Sequence, residues 1–396
     1  MISAKPALAD LWLSWMHEPP LIESAHFGDL LLAGTTLIDV RAPIEFGDGA
    51  LPASANHPIL DDDERAQVGT THRVDGPDAA TVLGHQLVSG VTKDQRIDAW
   101  TSVVQSESES VLYCARGGQR SKIACAWLRD RGVLVPRVVG GYKALRNYLL
   151  AELENVPASY TLSGWTGVGK TETIEALPSA IDLEGLANHR GSAFGRMLRG
   201  QPAQQTFENG LAIELMKFRQ QGKQHLVMED ESRLIGRIHL PPSIMKTLQS
   251  SPILLQEAPV EERVQRIHQD YILSNWKEYE SCDPVELNQY LVTEGLPSEL
   301  ASLEQPFATF ASRLLTSLDA IRKRLGGARH ATLRQEMIQA LSEHIAGDSS
   351  RHRRWINELL VEYYDPMYTY QIKRKEDRIV FRGDKAAIVD WMQDKS

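Results

Sequence analysis

The chain has 396 residues, of which 42% are apolar and 24% charged, and its formal net charge at pH 7 is −9. This length predicts two or three packing units. The sequence lacks the run of about eighteen apolar residues that a membrane helix needs, and its 3 cysteines form no CxxC pair. We therefore expect a reduced, cytoplasmic protein without a membrane partner, a disulfide framework or a metal site.

Short apolar segments in the first two thirds of the chain predict strands that alternate with helices. The predicted strands are residues 37–40, 110–113, 133–135, 160–163, 180–183, 225–228 and 252–255. This alternation is typical of α/β units with parallel sheets. Residues 260–362 show mostly helical periodicity, and residues 368–373 with 378–382 predict a terminal hairpin. The predicted fold is α/β in three parts, residues 1–153, 154–260 and 261–396.

The first site signal is the sequence YCARGGQRS at residues 113–121, between a predicted strand and a predicted helix. A sulfur at a helix N-terminus lies near unpaired amides and the positive end of the macrodipole, which favour the thiolate. Two glycines allow the backbone to curl with its amides inward, and two arginines add positive charge. Cys114 is the predicted nucleophile, and the predicted oxyanion loop comprises Arg116, Gly117, Gly118, Arg120 and Ser121. For a cysteine without such neighbours, a buried structural role is the better interpretation.

The second signal is GWTGVGKT at residues 164–171, which matches GxxxxGK[ST] after a predicted strand. Backbone amides would surround the phosphates, Lys170 would bridge outer oxygens, and the Thr171 hydroxyl is a candidate ligand for Mg²⁺. A nucleotide triphosphate and a prenyl diphosphate present the same oxygens, so the motif leaves both open. The predicted phosphate-binding residues are Gly164, Thr166, Gly167, Gly169, Lys170 and Thr171.

Two polar segments follow predicted strands, at residues 182–192 and 229–233. Loops at the carboxyl ends of parallel strands line the crevice of an open α/β sheet, so both segments are expected to face the phosphate loop. A solvated acidic turn is the alternative for any one carboxylate. The candidate residues are Asp182, Glu184, His189, Arg190, Glu229, Asp230 and Arg233.

Basic residues cluster in the last third of the chain despite the negative net charge. Solvated helix faces are the simpler interpretation of any one cluster. Several tyrosines interleave with these clusters, however, and that combination suits RNA. The candidate RNA-binding residues are Arg353, Arg354, Lys373 and Arg374.

Residues 37–58 and 140–146 resemble the opening and closing segments of a rhodanese domain, which carries sulfur or selenium on its loop cysteine. Five residues separate Cys114 from Arg120, where most rhodaneses have four, and five is the spacing of Cys-dependent phosphatases. With the phosphate loop and the two polar segments, the chain resembles the tRNA 2-selenouridine synthase family over nearly its whole length. The three parts would then be a rhodanese-like domain, a P-loop domain and a helical C-terminal region.

This resemblance implies a transferase that replaces sulfur by selenium at carbon 2 of the wobble uridine of tRNA. It implies selenophosphate as donor at Cys114 and S-geranylation of 2-thiouridine by geranyl diphosphate bound at the phosphate loop. The expected partners are a tRNA anticodon stem-loop carrying 2-thiouridine and an enzyme that supplies selenophosphate, with no DNA and no tightly bound cofactor. Two alternatives stay open: a Cys-dependent phosphatase fused to a P-loop kinase, and a sulfur-sensing module that switches on nucleotide.

Overall fold

The computed structural model describes residues 20–107, 109–289 and 304–395. It forms two compact units. The first contains the chain up to Asn155 together with Ala203–Gln221, and the second contains Val156–Pro202 together with the chain from Gly222 onward. This division differs from the three predicted parts in two respects. A helix that follows the phosphate loop in sequence belongs to the first unit, and the helical C-terminal residues share one unit with the phosphate loop.

A five-stranded, fully parallel sheet forms the centre of the first unit, in the order β1-β5-β4-β2-β3. Its strands are β1 (Leu21–Ile22), β2 (Thr36–Asp39), β3 (Ser54–Asn56), β4 (Ser110–Tyr113) and β5 (Arg137–Val138). The predicted strand at residues 133–135 is wrong. Pairing begins only at Arg137, because Pro136 before it has no N–H to donate to a ladder.

Eight α-helices surround this sheet within the described residues. Their bounds are Phe27–Leu32, Pro43–Gly47, Asp62–Val74, Pro77–Leu87, Gly90–Ser106, Gln119–Asp130, Gly141–Leu153 and Gln204–Gln220, with a 3-10 turn at Ser24–His26. The last helix packs against Gly141–Leu153. Asn209, which is fully buried, accepts from Arg146 Nη1 at 3.0 Å and donates to the carbonyl of Ala50 at 2.8 Å. These polar bonds fix the inserted helix on the first unit.

The second unit contains another five-stranded parallel sheet, in the order β12-β11-β6-β8-β7. The phosphate loop leaves the central strand. The strands of this unit are β6 (Ser159–Gly164), β7 (Ala180–Ile181), β8 (Leu226–Glu229), the antiparallel pair β9 (Leu234–Ile235) and β10 (Ile238–His239), β11 (Ile253–Gln256) and β12 (Ile379–Gly383).

Helices make up most of the remainder of the second unit. Their bounds are Lys170–Ala176, Leu183–Leu186, Pro242–Ser250, Val260–Ile267, Asn275–Ser281, Pro284–Gln289, Gln305–Ala320, Arg322–Leu325, Gly327–Ile345, His352–Leu359, Asp365–Lys373 and Lys385–Gln393, with a 3-10 turn at Glu376–Arg378. Two continuous helical rods contain π-helical turns, at His268–Ser274 and Leu360–Tyr364. No helix in the described part of the chain is long and apolar enough to cross a membrane.

The predicted terminal hairpin is wrong. Asp365–Lys373 is a helix, and β12 pairs in parallel with β11 at the edge of the sheet. Tyr364, Tyr368 and Ile372 are four residues apart and lie on one face of the helix, which is helical and not strand spacing. Tyr364 and Ile372 on this face are buried.

Candidate functional site

The cysteine loop of the first unit runs from β4 into the N-terminus of helix Gln119–Asp130, as the sequence predicts. Cys114 Sγ lies 3.2 Å from Ser121 Oγ, and the Ser121 hydroxyl donates to the carbonyl of Gly118 at 3.1 Å. The backbone amides of residues 115–118 have no hydrogen-bond partner among the described residues. These unpaired amides follow Cys114 in the chain and precede the helix N-terminus, as in loops that bind anions.

The glycine pair that closes the predicted rhodanese-like segment holds this loop from outside. Tyr142 N donates to the carbonyl of Cys114 at 2.8 Å. Gly141 has a positive φ of 57°, and a Cβ there would lie 2.1 Å from the carbonyl oxygen of Cys114. Only glycine fits at this position, because both the backbone conformation and the close contact exclude a side chain.

Arg120, the arginine that ends the loop, is bound to Glu45 by two hydrogen bonds of 2.5 and 3.0 Å. Burial alone would raise the pKa of Glu45, but the hydrogen bonds and charge of Arg120 outweigh burial and lower it. The carboxylate therefore stays ionised and holds the guanidinium beside the loop. Arg116 is exposed, and no ion pair of its side chain occurs among the described residues.

Cys114 itself is only 3% exposed. The sulfur is not presented openly to solvent, contrary to what an open anion ring would require. Arg116 and Gly118, which follow it in the loop, are exposed. A substrate can therefore reach the sulfur only if this outer part of the loop moves.

The phosphate loop of the second unit is held in a left-handed backbone conformation at Gly167 and Gly169, with φ of 81° and 90°. Two arginines of the helix that starts at Val260 hold the loop through its carbonyls. Arg263 Nε donates to the carbonyl of Thr166 at 2.9 Å, and Arg266 Nη1 donates to that of Gly167 at 2.8 Å. These arginines occupy two carbonyls of the loop, and the amide of Val168 donates to the carbonyl of Trp165 at 3.3 Å.

A cavity of about 550 Å³ opens at the phosphate loop. It brings together the whole predicted loop with parts of both polar segments. The predicted residues that line it are Gly164, Thr166, Gly167, Gly169, Lys170, Thr171, Glu184, Arg190 and Asp230. Residues that the sequence reasoning missed also line it, namely Glu231, Arg266, Asp270, Tyr271, Tyr368 and Lys375.

Carboxylates dominate the electrostatics around Lys170. Burial would lower the pKa of Lys170, but Tyr368 and the carboxylates Glu184 and Glu231 raise it, so the ammonium stays charged. Burial, with the charge of Glu184, raises the pKa of Glu231 to about 8. A Cβ at Gly191 would lie 2.3 Å from Glu184 Oε1 and 3.1 Å from Glu231 Oε1. The two carboxyl groups thus converge on one point, and burial raises the pKa of both.

Asp230 is engaged in a different way. Lys375 Nζ donates to both of its oxygens, at 2.7 and 2.8 Å, and the Ser163 hydroxyl donates to it at 2.7 Å. Lys375 follows Lys373 and Arg374, the two residues that the sequence analysis assigned to RNA binding. Its neighbours Lys373 and Arg374 are exposed, whereas Lys375 neutralises a carboxylate at the wall of the phosphate cavity.

Four predicted crevice residues do not line this cavity. Asp182 caps helix Leu183–Leu186 through a 2.6 Å bond from Gly185 N. Glu229 is fully buried and accepts from Leu183 N at 2.8 Å. His189 is buried at a neighbouring cavity, and Arg233 is exposed. These four side chains therefore lie outside the lining of the phosphate cavity. Arg353 and Arg354 are exposed on helix His352–Leu359, where an RNA-binding role stays a prediction.

An apolar pocket adjoins the phosphate cavity. The two share Thr166, Ser192, Ile267 and Tyr271. The other walls are Phe194, Trp355, Ile356, Leu359, Leu360 and Tyr364. The pocket is narrow, about 30 Å³, and Tyr271, Leu360 and Tyr364 in its walls belong to the π-helical turns. Such turns recur at functional sites.

Comparisons with known proteins show the family of this chain. A family model described as the tRNA 2-selenouridine synthase AAA domain matches residues 158–396. The chain is similar to a tRNA 2-selenouridine synthase of Shewanella frigidimarina, with 43% identity over 94% of this chain and 98% of that protein. It is also similar to one of Pseudomonas fluorescens, with 44% identity over 95% and 99%. The chain belongs to the tRNA 2-selenouridine synthase family. The predicted α/β fold and the prediction that the chain is an enzyme are confirmed.

Proposed function

We propose that this protein replaces sulfur by selenium at carbon 2 of a wobble uridine in tRNA, in two steps at two sites. The names of its relatives support the overall reaction. In the first step the 2-thiouridine sulfur is geranylated at the phosphate loop. In the second step, at the Cys114 loop, selenophosphate replaces the geranylated sulfur.

The observation that carries the first step is the contact between the phosphate cavity and the apolar pocket. A prenyl diphosphate has a charged head and a purely apolar chain. The phosphate cavity would hold the head, and the adjoining apolar pocket would hold the chain. A nucleotide would instead place a base with hydrogen-bonding edges against Phe194, Ile356 and Leu359. Because the pocket is narrow, we expect the π-helical walls to move apart when the chain enters.

The geranylation step needs a base and a stabilised leaving group. The 2-thiouridine sulfur attacks carbon 1 of the geranyl group, the C–O bond breaks, and diphosphate departs with the electron pair. Lys170 and the loop amides stabilise the departing charge. The proton from the uridine ring passes to the Glu184–Glu231 pair when that pair is ionised.

Magnesium is proposed as a companion of the diphosphate. Thr171 and the Glu184–Glu231 pair offer the oxygen ligands that Mg²⁺ prefers, and they line the cavity. Among the described residues, no three acidic, histidine or cysteine side chains are placed to hold a metal on their own. The ion would therefore bind through substrate oxygens as well, and it would neutralise charge on the leaving diphosphate.

Equilibrium binding tests this assignment. We expect geranyl diphosphate to bind about 100-fold more tightly than inorganic diphosphate. Such a difference needs about 2.7 kcal/mol, which burial of about three or four carbons of the chain supplies at about 0.8 kcal/mol each. ATP should bind no more tightly than inorganic diphosphate and should turn over slowly without tRNA. Lys170→Ala should weaken all three ligands, whereas Lys246→Ala, at an exposed lysine of the same unit, should not. Tighter binding of ATP than of geranyl diphosphate would contradict the assignment.

A further inference from the structure

We propose that Cys114 is a phosphoryl acceptor, which takes the phosphoryl group from a selenium-linked phosphate on the uridine and so releases 2-selenouridine. This inference rests on the proposed function and assigns the chemistry of the second step. The loop cysteine is thereby a nucleophile toward phosphorus rather than a carrier of selenium.

Oxidation states exclude the simplest carrier mechanism, in which Cys114 would take selenium directly from selenophosphate as an S–Se bond. The selenium of selenophosphate and the sulfur of a thiol are both fully reduced, so joining them in an S–Se bond would need an oxidant. Selenium can enter without one as a nucleophile. It attacks carbon 2 of the S-geranylated base, a C–Se bond forms, the C–S bond breaks, and geranyl thiolate leaves and takes a proton from water. The base then carries a selenium–phosphorus bond that must be cleaved.

The loop supplies the groups for that cleavage, and its exposed outer part, at Arg116 and Gly118, must move to admit the substrate to the buried sulfur. The backbone amides of residues 115–118 lack partners among the described residues; they follow Cys114 in the chain and precede the helix N-terminus. The span of five residues between Cys114 and Arg120 is longer than that of most rhodaneses, and a wider ring accepts a tetrahedral phosphoryl group. Ser121 Oγ lies 3.2 Å from the sulfur, and its hydroxyl donates to the carbonyl of Gly118. Turned toward the sulfur, this hydroxyl would donate to a thiolate. These groups would stabilise the charge on the transferring oxygens.

The leaving group explains why the loop needs no general acid. The Cys114 thiolate attacks phosphorus, an S–P bond forms, and the P–Se bond breaks with its electron pair on selenium. That charge spreads into the pyrimidine ring, so no proton is needed at departure. Glu45, the carboxylate at Arg120, has a lowered pKa and remains ionised, which suits a positioning role and not proton donation. Water then cleaves the S–P bond, which gives inorganic phosphate and the free thiol.

The test bypasses the first step. An RNA stem-loop that already carries S-geranyl-2-thiouridine is incubated with selenophosphate and the full-length protein, and the digested nucleosides are identified by mass. The wild type should form 2-selenouridine and inorganic phosphate. Cys114→Ser should form 2-selenouridine at least about 100-fold more slowly and should accumulate the selenium-phosphorylated nucleoside. Cys125→Ser is the matched control, since Cys125 is buried on the following helix and should behave as wild type.

Each outcome is decisive. Accumulation of unchanged geranylated nucleoside in Cys114→Ser, or wild-type formation of 2-selenouridine by it, would overturn the inference. Selenophosphate is labelled in separate reactions at phosphorus and at selenium. After an acid quench, the wild-type protein should retain the phosphorus label, and the Cys114→Ser protein should not. Retention of selenium alone would restore the carrier mechanism. Failure of the wild type to convert geranylated RNA would instead refute the proposed function.

Discussion

His352 should make this protein sensitive to acid. The side chain is fully buried in the second unit, and Trp355 Nε1 donates to its Nδ1 at 3.0 Å. Burial, together with the charges of His344 and His268, lowers the pKa of His352 to about 3. Protonation would break the bond from Trp355, whose ring lies in the wall of the apolar pocket.

The size of the effect follows from proton linkage. A histidine with a depressed pKa binds fewer protons in the folded than in the unfolded chain, so stability is lost as pH falls below the unfolded value of about 6.5. At pH 5 the unfolded histidine is almost fully protonated and folded His352 is not. The loss from this residue is therefore about 2 kcal/mol between pH 8 and pH 5.

Urea unfolding at pH 8, 6.5 and 5 measures this loss. His352→Gln is the informative variant, because a glutamine oxygen can still accept from Trp355 but does not titrate. We expect the variant to lose about 2 kcal/mol less than wild type between pH 8 and pH 5. The same pH dependence in both proteins would refute the argument.

Three further predictions concern the sites. Gly141→Ala should displace the Cys114 carbonyl and lower selenium incorporation while geranylation continues; normal incorporation would show that the loop tolerates a side chain there. Glu231→Gln should raise the melting temperature, most strongly above pH 8, because wild type must ionise a carboxyl of raised pKa as pH rises; equal melting curves at high pH would argue against that raised pKa. Arg353→Glu with Arg354→Glu should weaken tRNA binding and lower its logarithmic salt slope by about 2; unchanged slopes would locate the RNA elsewhere.

Local signals explain which parts of this molecule the sequence predicts well. The phosphate loop and the cysteine loop are each a strand, a glycine-rich turn and a helix, and these local elements carry the sequence signal. Long-range bonds from Arg263, Arg266 and Tyr142 then hold the loops in place. Both therefore appear where predicted. The carboxylate pair was only half predicted, because Glu184 follows β7 and Glu231 follows β8. The two meet because these strands are neighbours in the sheet order β6-β8-β7.

Long-range packing accounts for what the sequence did not reveal. The sequence of helix Gln204–Gln220 has an ordinary amphipathic pattern. No local feature of this helix indicates that its buried Asn209 donates to the carbonyl of Ala50 in the first unit. Strand β12 lies more than a hundred residues after its partner β11, so a local hairpin was the natural prediction. Lys375 follows the predicted RNA-binding residues Lys373 and Arg374 in sequence, but the fold places it on Asp230.

The central claim is that two separate anion sites perform two consecutive steps on one base. Its most direct measurement is a single reaction with 2-thiouridine RNA, geranyl diphosphate and selenophosphate, followed by mass analysis of the nucleosides from wild type, Lys170→Ala and Cys114→Ala. Lys170→Ala should leave 2-thiouridine largely unmodified yet still convert RNA that is geranylated beforehand. Cys114→Ala should geranylate normally and yield little 2-selenouridine. Loss of both activities in each folded variant would contradict the separation of the two steps.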